Sequence, residues 1–250
     1  MPFLFDLATE QWLFAILSAA CVGISKSGFG AMAIPGILLM TQVMPAREST
    51  GIILPMLILA DIFAVQAFRK FTVWALLLKI LPAAVFGVVL GWWLMPRIPV
   101  GFFNPVIGWI VLGLLLLTIL QKTSSKLQDI AAGHPAIAWP LGLLAGVSTM
   151  LANAAGPAMT VYLLAARLPK YEFVGTAAWF FFFINLIKVP FSISLGLITP
   201  NTLFFNLVLA PAVLVGLFSG KFLLGKINQT QFEWLLIALS LLGALKLIWV

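Results

Sequence analysis

The sequence predicts an all-α membrane protein made of two inverted repeats, each a helix-loop-helix hairpin followed by three transmembrane helices. Three observations carry that prediction. First, 63% of the 250 residues are hydrophobic and only 8% are charged, whereas a soluble domain carries about 45–50% apolar and about 25% charged residues. Second, mostly apolar runs of about 20 residues, the length that crosses a ~30 Å hydrocarbon core, recur along the chain. Third, short motifs of the first half return in order in the second. The mean hydropathy of +1.16 excludes a soluble enzyme, a disordered chain and a nucleic-acid binder. It does so despite a net charge of +7, because the basic residues are scattered between apolar runs. A porin-type barrel would alternate polar and apolar residues, and these runs are apolar all round.

The N-terminus, MPFLFDLATEQW, places acids ahead of its apolar run, which reads as a retained start and not as a cleaved signal peptide. The first stretch, Trp12 to Met44, is two apolar pieces of roughly 13 residues, each about 20 Å long as a helix and too short to span. They are separated by Ser25-Lys26-Ser27-Gly28-Phe29-Gly30. Such pieces suit a re-entrant hairpin buried in protein or facing a watery cavity; the alternative is a pair of tilted full spans. Full-length runs follow at Ser49 to Phe68, Val73 to Met95 and Phe102 to Leu120. A polar linker, about residues 122–137, contains the single histidine, His134, as a loop residue. A second interrupted stretch, Ala138 to Leu168, breaks at Ser148-Thr149-Met150-Leu151-Ala152-Asn153, and full runs return at Phe173 to Leu197, Thr202 to Leu224 and Phe232 to Val250.

The halves, about residues 12–121 and 138–250, align as one duplicated domain. Gly23-Ile24-Ser25 matches Gly146-Val147-Ser148, and Met44-Pro45-Ala46-Arg47-Glu48 matches Leu168-Pro169-Lys170-Tyr171-Glu172. Gly51 matches Gly175, Asp61 matches Asn185, and the GxxxG pair Gly87/Gly91 matches Gly216/Gly220. That spacing predicts close packing between the two equivalent spans. Three full crossings per half make the second half enter from the opposite side, the inverted arrangement common in secondary transporters. With the N-terminus outside, Arg69, Lys70, Lys79, Lys122, Lys126, Arg167, Lys170, Lys221 and Lys226 face the cytoplasm, against Arg47, Arg97 and Lys246 outside. This positive-inside bias puts both termini on the non-cytoplasmic side of a plasma membrane.

GISKSGFGAMAIP, together with LANAAGPAMTVYLLAARLPKYEFVGTAAWFFFFINLIKVPFSISLGLIT, resembles the TauE/SafE family, also called the sulfite exporter or TSUP family, over essentially the full chain. The resemblance implies the hairpin-plus-three-helix repeat and transport of small sulfur-containing anions such as sulfite, thiosulfate or organosulfonates. The second break departs from the glycine-rich form common in that family, reading Leu151-Ala152-Asn153-Ala154-Ala155.

Three ionisable residues, Lys26, Asp61 and Lys188, fall far from either membrane surface, where a charge costs about 2.5–3.5 kcal/mol and marks function by default. At the first break Ser25, Lys26, Ser27, Gly28 and Gly30 combine a cation, hydroxyl donors and glycines that let backbone approach a ligand. Ser148, Thr149 and Asn153 supply donors at the second. Two breaks meeting at mid-depth would make one anion pocket across the repeat interface; if the hairpins are full spans, Lys26 instead sits at an aqueous loop tip. Asp61, Asn185 and Lys188 form a gating or coupling set, with Asp61 expected to pair with Lys188, either as structural glue or as a coupling device. Prolines 35, 55, 82, 157, 190 and 211 mark kinks or broken helices. The run Trp179 to Phe183 reads as lipid-facing bulk, and Trp74, Trp92, Trp93, Trp139, Trp234 and Trp249 as an interfacial belt.

These features make the leading reading a secondary carrier for a small anion working by alternating access in a lipid bilayer, without a cofactor and without nucleic acid. An anion channel and a non-transporting assembly factor are the alternatives. No Walker motif occurs, one histidine cannot build a His-Glu-x-x-His site, and one mid-span acid cannot make an aspartyl dyad, so the chain is not expected to be an enzyme. Cys21 alone allows no internal disulfide.

Overall fold

The computed structural model describes residues 7–102 and 135–249, with residues 105, 109, 112, 113 and 116 between them. Most of the expected third span of the first half (Phe102 to Leu120), residues 122–134 of the polar linker and with them His134 lie outside the described residues, and residues 135–137 of the expected linker belong to the helix that follows. All the regular elements among the described residues are helical. The first half runs α1 (Thr9–Ser25), a single 3-10 turn (Gly30–Met32), α2 (Ala33–Met40), α3 (Ala46–Phe68) and α4 (Trp74–Leu94). The second runs α5 (Pro135–Ala152), α6 (Gly156–Ala165), α7 (Lys170–Ser194), α8 (Pro200–Lys226) and α9 (Gln229–Trp249). Helices α3, α4, α7 and α8 are long and apolar enough to cross a membrane.

Local chemistry sets these boundaries. Pro45 and Pro169 precede α3 and α7, and Glu48 and Glu172 sit in the first turns, where negative charge favours a helix start. Thr199 caps α8 through the Thr202 amide at 3.3 Å, with Pro200 in the first turn. At the other end of α8, Lys170 Nζ donates to the Leu224 and Ile227 carbonyls at 3.1 and 2.6 Å, a cation on the negative helix end.

Both interrupted stretches are broken helices, but the pieces are unequal. The first members have 17 and 18 residues, and the second only 8 and 10. The short members cover about 12–15 Å, half a hydrocarbon core. Gly28 turns the first break at φ +112° and Asn153 turns the second at φ +53°. The left-handed region is the one that asparagine tolerates best after glycine, which explains how the second break forms without the glycine run. Pro157 starts α6 and Pro35 lies in the first turns of α2, so these two initiate helices and do not kink them. Pro55, Pro82, Pro190 and Pro211 do lie inside helices.

The glycine pairs pack differently from the expectation. Gly87 and Gly91 of α4 face α5, and Gly216 and Gly220 of α8 face α1; the two GxxxG spans do not face each other. A Cβ on Gly146 would lie 2.0 Å from the Ala84 carbonyl oxygen, and one on Gly23 would lie 2.0 Å from that of Val213. A Cβ on Gly87 would meet the Leu143 oxygen at 2.3 Å, and one on Gly216 the Ala20 oxygen at 2.0 Å. Each long hairpin helix therefore lies backbone to backbone on a spanning helix of the other half, because only glycine at all four points admits that approach.

Of the expected belt, Trp74, Trp93, Trp139 and Trp234 are exposed. The Trp92 indole donates to Ser194 Oγ at 3.1 Å. The side chain of Trp249 lies outside the described residues.

Candidate functional site

The two breaks meet inside the bundle: a Cβ on Gly30 would stand 3.5 Å from Gly156 Cα. Around this junction Lys26, Asp61, Asn185, Lys188, Thr149 and Asn153 are all at least 94% buried. Lys26 Nζ lies 2.8 Å from Asp61 Oδ1. Asn185 Nδ2 donates to the other carboxylate oxygen at 2.7 Å, so Asp61 is held on both oxygens. Lys188 Nζ donates to Thr149 Oγ1 at 3.2 Å and to Asn153 Oδ1. Asn153 uses its Nδ2 to hold the Thr50 carbonyl at 3.0 Å, which ties the second break to α3.

The expected Asp61–Lys188 pair is thus replaced by Asp61–Lys26. The reason is geometric. Lys26 follows the last residue of α1 and reaches α3, whereas Lys188 projects from α7 to the second break, where Thr149 and Asn153 meet it first. Asp61 and Asn185, the equivalent positions of the two halves, bond each other directly.

Two small cavities, about 20 and about 10 Å³, flank the junction. Ser25, Lys26, Gly30, Gly156 and Phe181 line both, Gly28 lines the larger, and Thr149, Asn153 and Asn185 line the smaller. Volumes of this size hold one water or so apiece. Ser27, Ser148, Asp61 and Lys188 do not line either cavity. Ser25, Ser27 and Ser148 spend their hydroxyl protons on the carbonyls of Val22, Leu217 and Ala145, at 2.6, 2.8 and 3.2 Å. The Ser27 bond pins the first break to α8. A larger hollow of about 240 Å³ lies away from the junction, between α3 and α8, and is mostly apolar apart from Gln66 and Lys221.

Phe181 departs from the expectation for its run. Trp179 to Phe183 reads as lipid-facing bulk, yet the Phe181 ring centroid lies 4.2 Å from Lys26 Nζ and the side chain walls both cavities, while Phe180 is fully buried. The signal was present: Phe181, Asn185 and Lys188 stand at i, i+4 and i+7, one stripe of α7. Tyr162, also fully buried, donates its hydroxyl to the Leu76 carbonyl at 3.0 Å and fixes α6 to α4. Among the described residues, no cluster of three His, Cys, Asp or Glu could hold a metal ion.

The site is therefore a set of buried charges and donors at the crossing of two broken helices, inside a multi-pass helical membrane protein. A family model described as sulfite exporter TauE/SafE matches residues 12–247, nearly the whole chain and both breaks. Neither a curated protein nor a solved structure gives a significant match. The chain belongs to the TauE/SafE sulfite exporter family, whose members are membrane transporters and not enzymes.

Proposed function

We propose that this protein is a secondary carrier that moves a small anion of the sulfite, thiosulfate or organosulfonate class across the plasma membrane. It would work by alternating access between two inverted halves, residues 12–121 and 138–250, with both termini on the non-cytoplasmic side. The observation that carries this reading is the junction itself: two helix breaks, one from each half, enclose two lysines and one aspartate. Retaining three ionisable groups at that depth is costly, and a helix interrupted at mid-membrane is how carriers present backbone to an ion.

Two further observations support it. The duplicated contacts of Gly23 and Gly146, and of Gly87 and Gly216, are those that two equivalent units would make. With three crossings per half those units would run antiparallel. Among the described residues, the amides of Gly28, Phe29 and Gly30 donate to no backbone carbonyl, and they lie between Lys26 and the 3-10 turn that leads into α2, a setting that attracts anions. Cavities of one or two waters suit an occluded carrier better than an open channel. Admission of a four- or five-atom oxyanion requires the breaks to part and the serines to turn from their carbonyls.

Purified protein would be heated with sulfite, thiosulfate, sulfate or an organosulfonate, with Lys26→Ala as control. A ligand at 100 times its dissociation constant adds about 2.7 kcal/mol of stability. Stabilisation of the wild type that is lost in Lys26→Ala, with saturable counterflow in proteoliposomes, is the expected result. No stabilisation by any anion, or equal stabilisation of the variant, refutes the site.

A further inference from the structure

The charges at the junction do not balance. Lys26 and Asp61 neutralise one another at 2.8 Å, and Asn185 occupies the second carboxylate oxygen. Lys188, 2% exposed, meets only two neutral oxygens, Thr149 Oγ1 and Asn153 Oδ1. Among the described residues it has no carboxylate partner, and one of its three donors is uncommitted. A buried ammonium with neutral partners alone retains most of its desolvation penalty. Thr149 and Asn153, the two groups that hold it, are themselves in the wall of the smaller cavity. A counter-ion admitted when the breaks part would therefore meet the wall that holds Lys188, one side chain away from the ammonium.

We propose that Lys188, and not Lys26, supplies the net charge that binds substrate, so that the site selects a singly charged anion. This rests on the carrier reading above and deepens it. With Lys26, Asp61 and Lys188 charged, the junction carries one positive charge. A monoanion brings it to neutrality, whereas a dianion leaves an uncompensated negative charge in a water-poor site, where electrostatic terms are least screened. Lys26 keeps a positioning role: it holds Asp61 and the first break in place under the Phe181 ring.

Methanesulfonate and thiosulfate test this well, since a methyl group and a terminal sulfur of similar size sit on the same SO₃ unit and the ions differ mainly by one charge. Dissociation constants for both would be measured on the purified full-length protein by ligand-dependent thermal stabilisation. The wild type should bind methanesulfonate at least about tenfold tighter, a difference of about 1.4 kcal/mol. Lys188→Gln should lose that binding by about tenfold or more, and Lys188→Arg should keep it. Asp61→Asn raises the junction to two positive charges, and the preference should move toward thiosulfate by about tenfold. Equal binding of the two ions by the wild type, or an unchanged preference in Asp61→Asn, overturns the valence assignment and leaves the carrier reading standing. Failure of the wild type to bind either ion overturns both.

Discussion

Replacing Gly146 by alanine tests whether the two halves are held together by backbone contact. A Cβ there would lie 2.0 Å from the Ala84 oxygen, 2.8 Å from Gly87 Cα and 2.8 Å from the Val88 nitrogen. All three neighbours are backbone atoms of α4, so no rotamer change relieves the clash. To reach ordinary contact near 3.4 Å the helices must separate by about 1.4 Å, and dispersion falls steeply over such a gap. Overpacking costs about 1–3 kcal/mol, and a rigid backbone neighbour puts this case at the top of that range. Against it stands the gain of about 1 kcal/mol from alanine over glycine inside a helix. The net expectation is a loss of about 2 kcal/mol, or about 4–8 °C in Tm for a chain of this size. Gly225→Ala is the control, since a Cβ there meets nothing within 4 Å and the propensity gain should act alone. Gly23→Ala, 2.0 Å from the Val213 oxygen, should cost as much as Gly146→Ala. Thermal unfolding in detergent measures all three. If Gly146→Ala is as stable as Gly225→Ala, the backbone seam does not hold the halves together.

Two other outcomes follow from the junction. Lys26→Met and Asp61→Asn should each destabilise by about 3–5 kcal/mol, because each strands a buried group of a salt bridge. The double variant should recover at least about 2 kcal/mol relative to their sum, and additivity within about 0.5 kcal/mol in the same unfolding assay would show the pair to be uncoupled. Phe181→Ala should cost about 3 kcal/mol, the low end for this truncation because the side chain is only part-buried. It removes a wall common to both cavities, so benzenesulfonate should stabilise this variant and not the wild type; equal effects on both would mean that Phe181 does not limit ligand size.

Much of this architecture was legible because it depends on local chemistry. The apolar runs located α3, α4, α7, α8 and α9 to within a few residues, since membrane crossing depends on length and hydropathy alone. Ser25-Lys26-Ser27-Gly28 and the Asn153 region located both breaks, because residues tolerant of left-handed backbone must stand where a helix turns back. The partners were not legible. Gly87-x-x-x-Gly91 announces a close approach without saying to what, and the facing surface, Leu143 to Gly146, lies in the other half. Depth along the spans pairs Asp61 with Lys188, but depth does not give azimuth, and the azimuth of α7 turns Lys188 toward Thr149. Phe181 was hidden by its neighbours: five consecutive aromatic residues carry no face signal until Asn185 and Lys188 fix which side of α7 is polar.

The exchange of hairpins has a mechanical consequence. Because α1 lies on α8 and α5 on α4 with backbone in contact, neither pair can slide without the clashes that glycine now avoids. In the proposed alternating-access cycle each long hairpin helix would travel with a spanning helix of the opposite half, so the moving bodies would not be the sequence repeats. The α1–α8 seam carries Lys26 at its edge and the α4–α5 seam carries Thr149 and, beside it, Asn153; α3 packs on α8, α7 packs on α4, and α3 and α7, which hold Asp61 and Lys188, pack on each other. The Lys26–Asp61 pair ties the first break to α3, and Lys188 ties α7 to the second break. The Asp61–Asn185 bond joins α3 to α7 and the Asn153–Thr50 bond joins the second break to α3, so a motion that drew α3 away from α7 and the second break would have to break both. In the proposed cycle an anion between the breaks would meet the neutral Lys26–Asp61 pair on one side and Lys188 behind Thr149 and Asn153 on the other. Were it to draw Lys188 away from Asn153, Asn153 would lose one of the two bonds that fix it, and its hold on the Thr50 carbonyl would weaken. Binding and release of the interface would then be coupled through a single asparagine, the residue whose left-handed turn makes the second break.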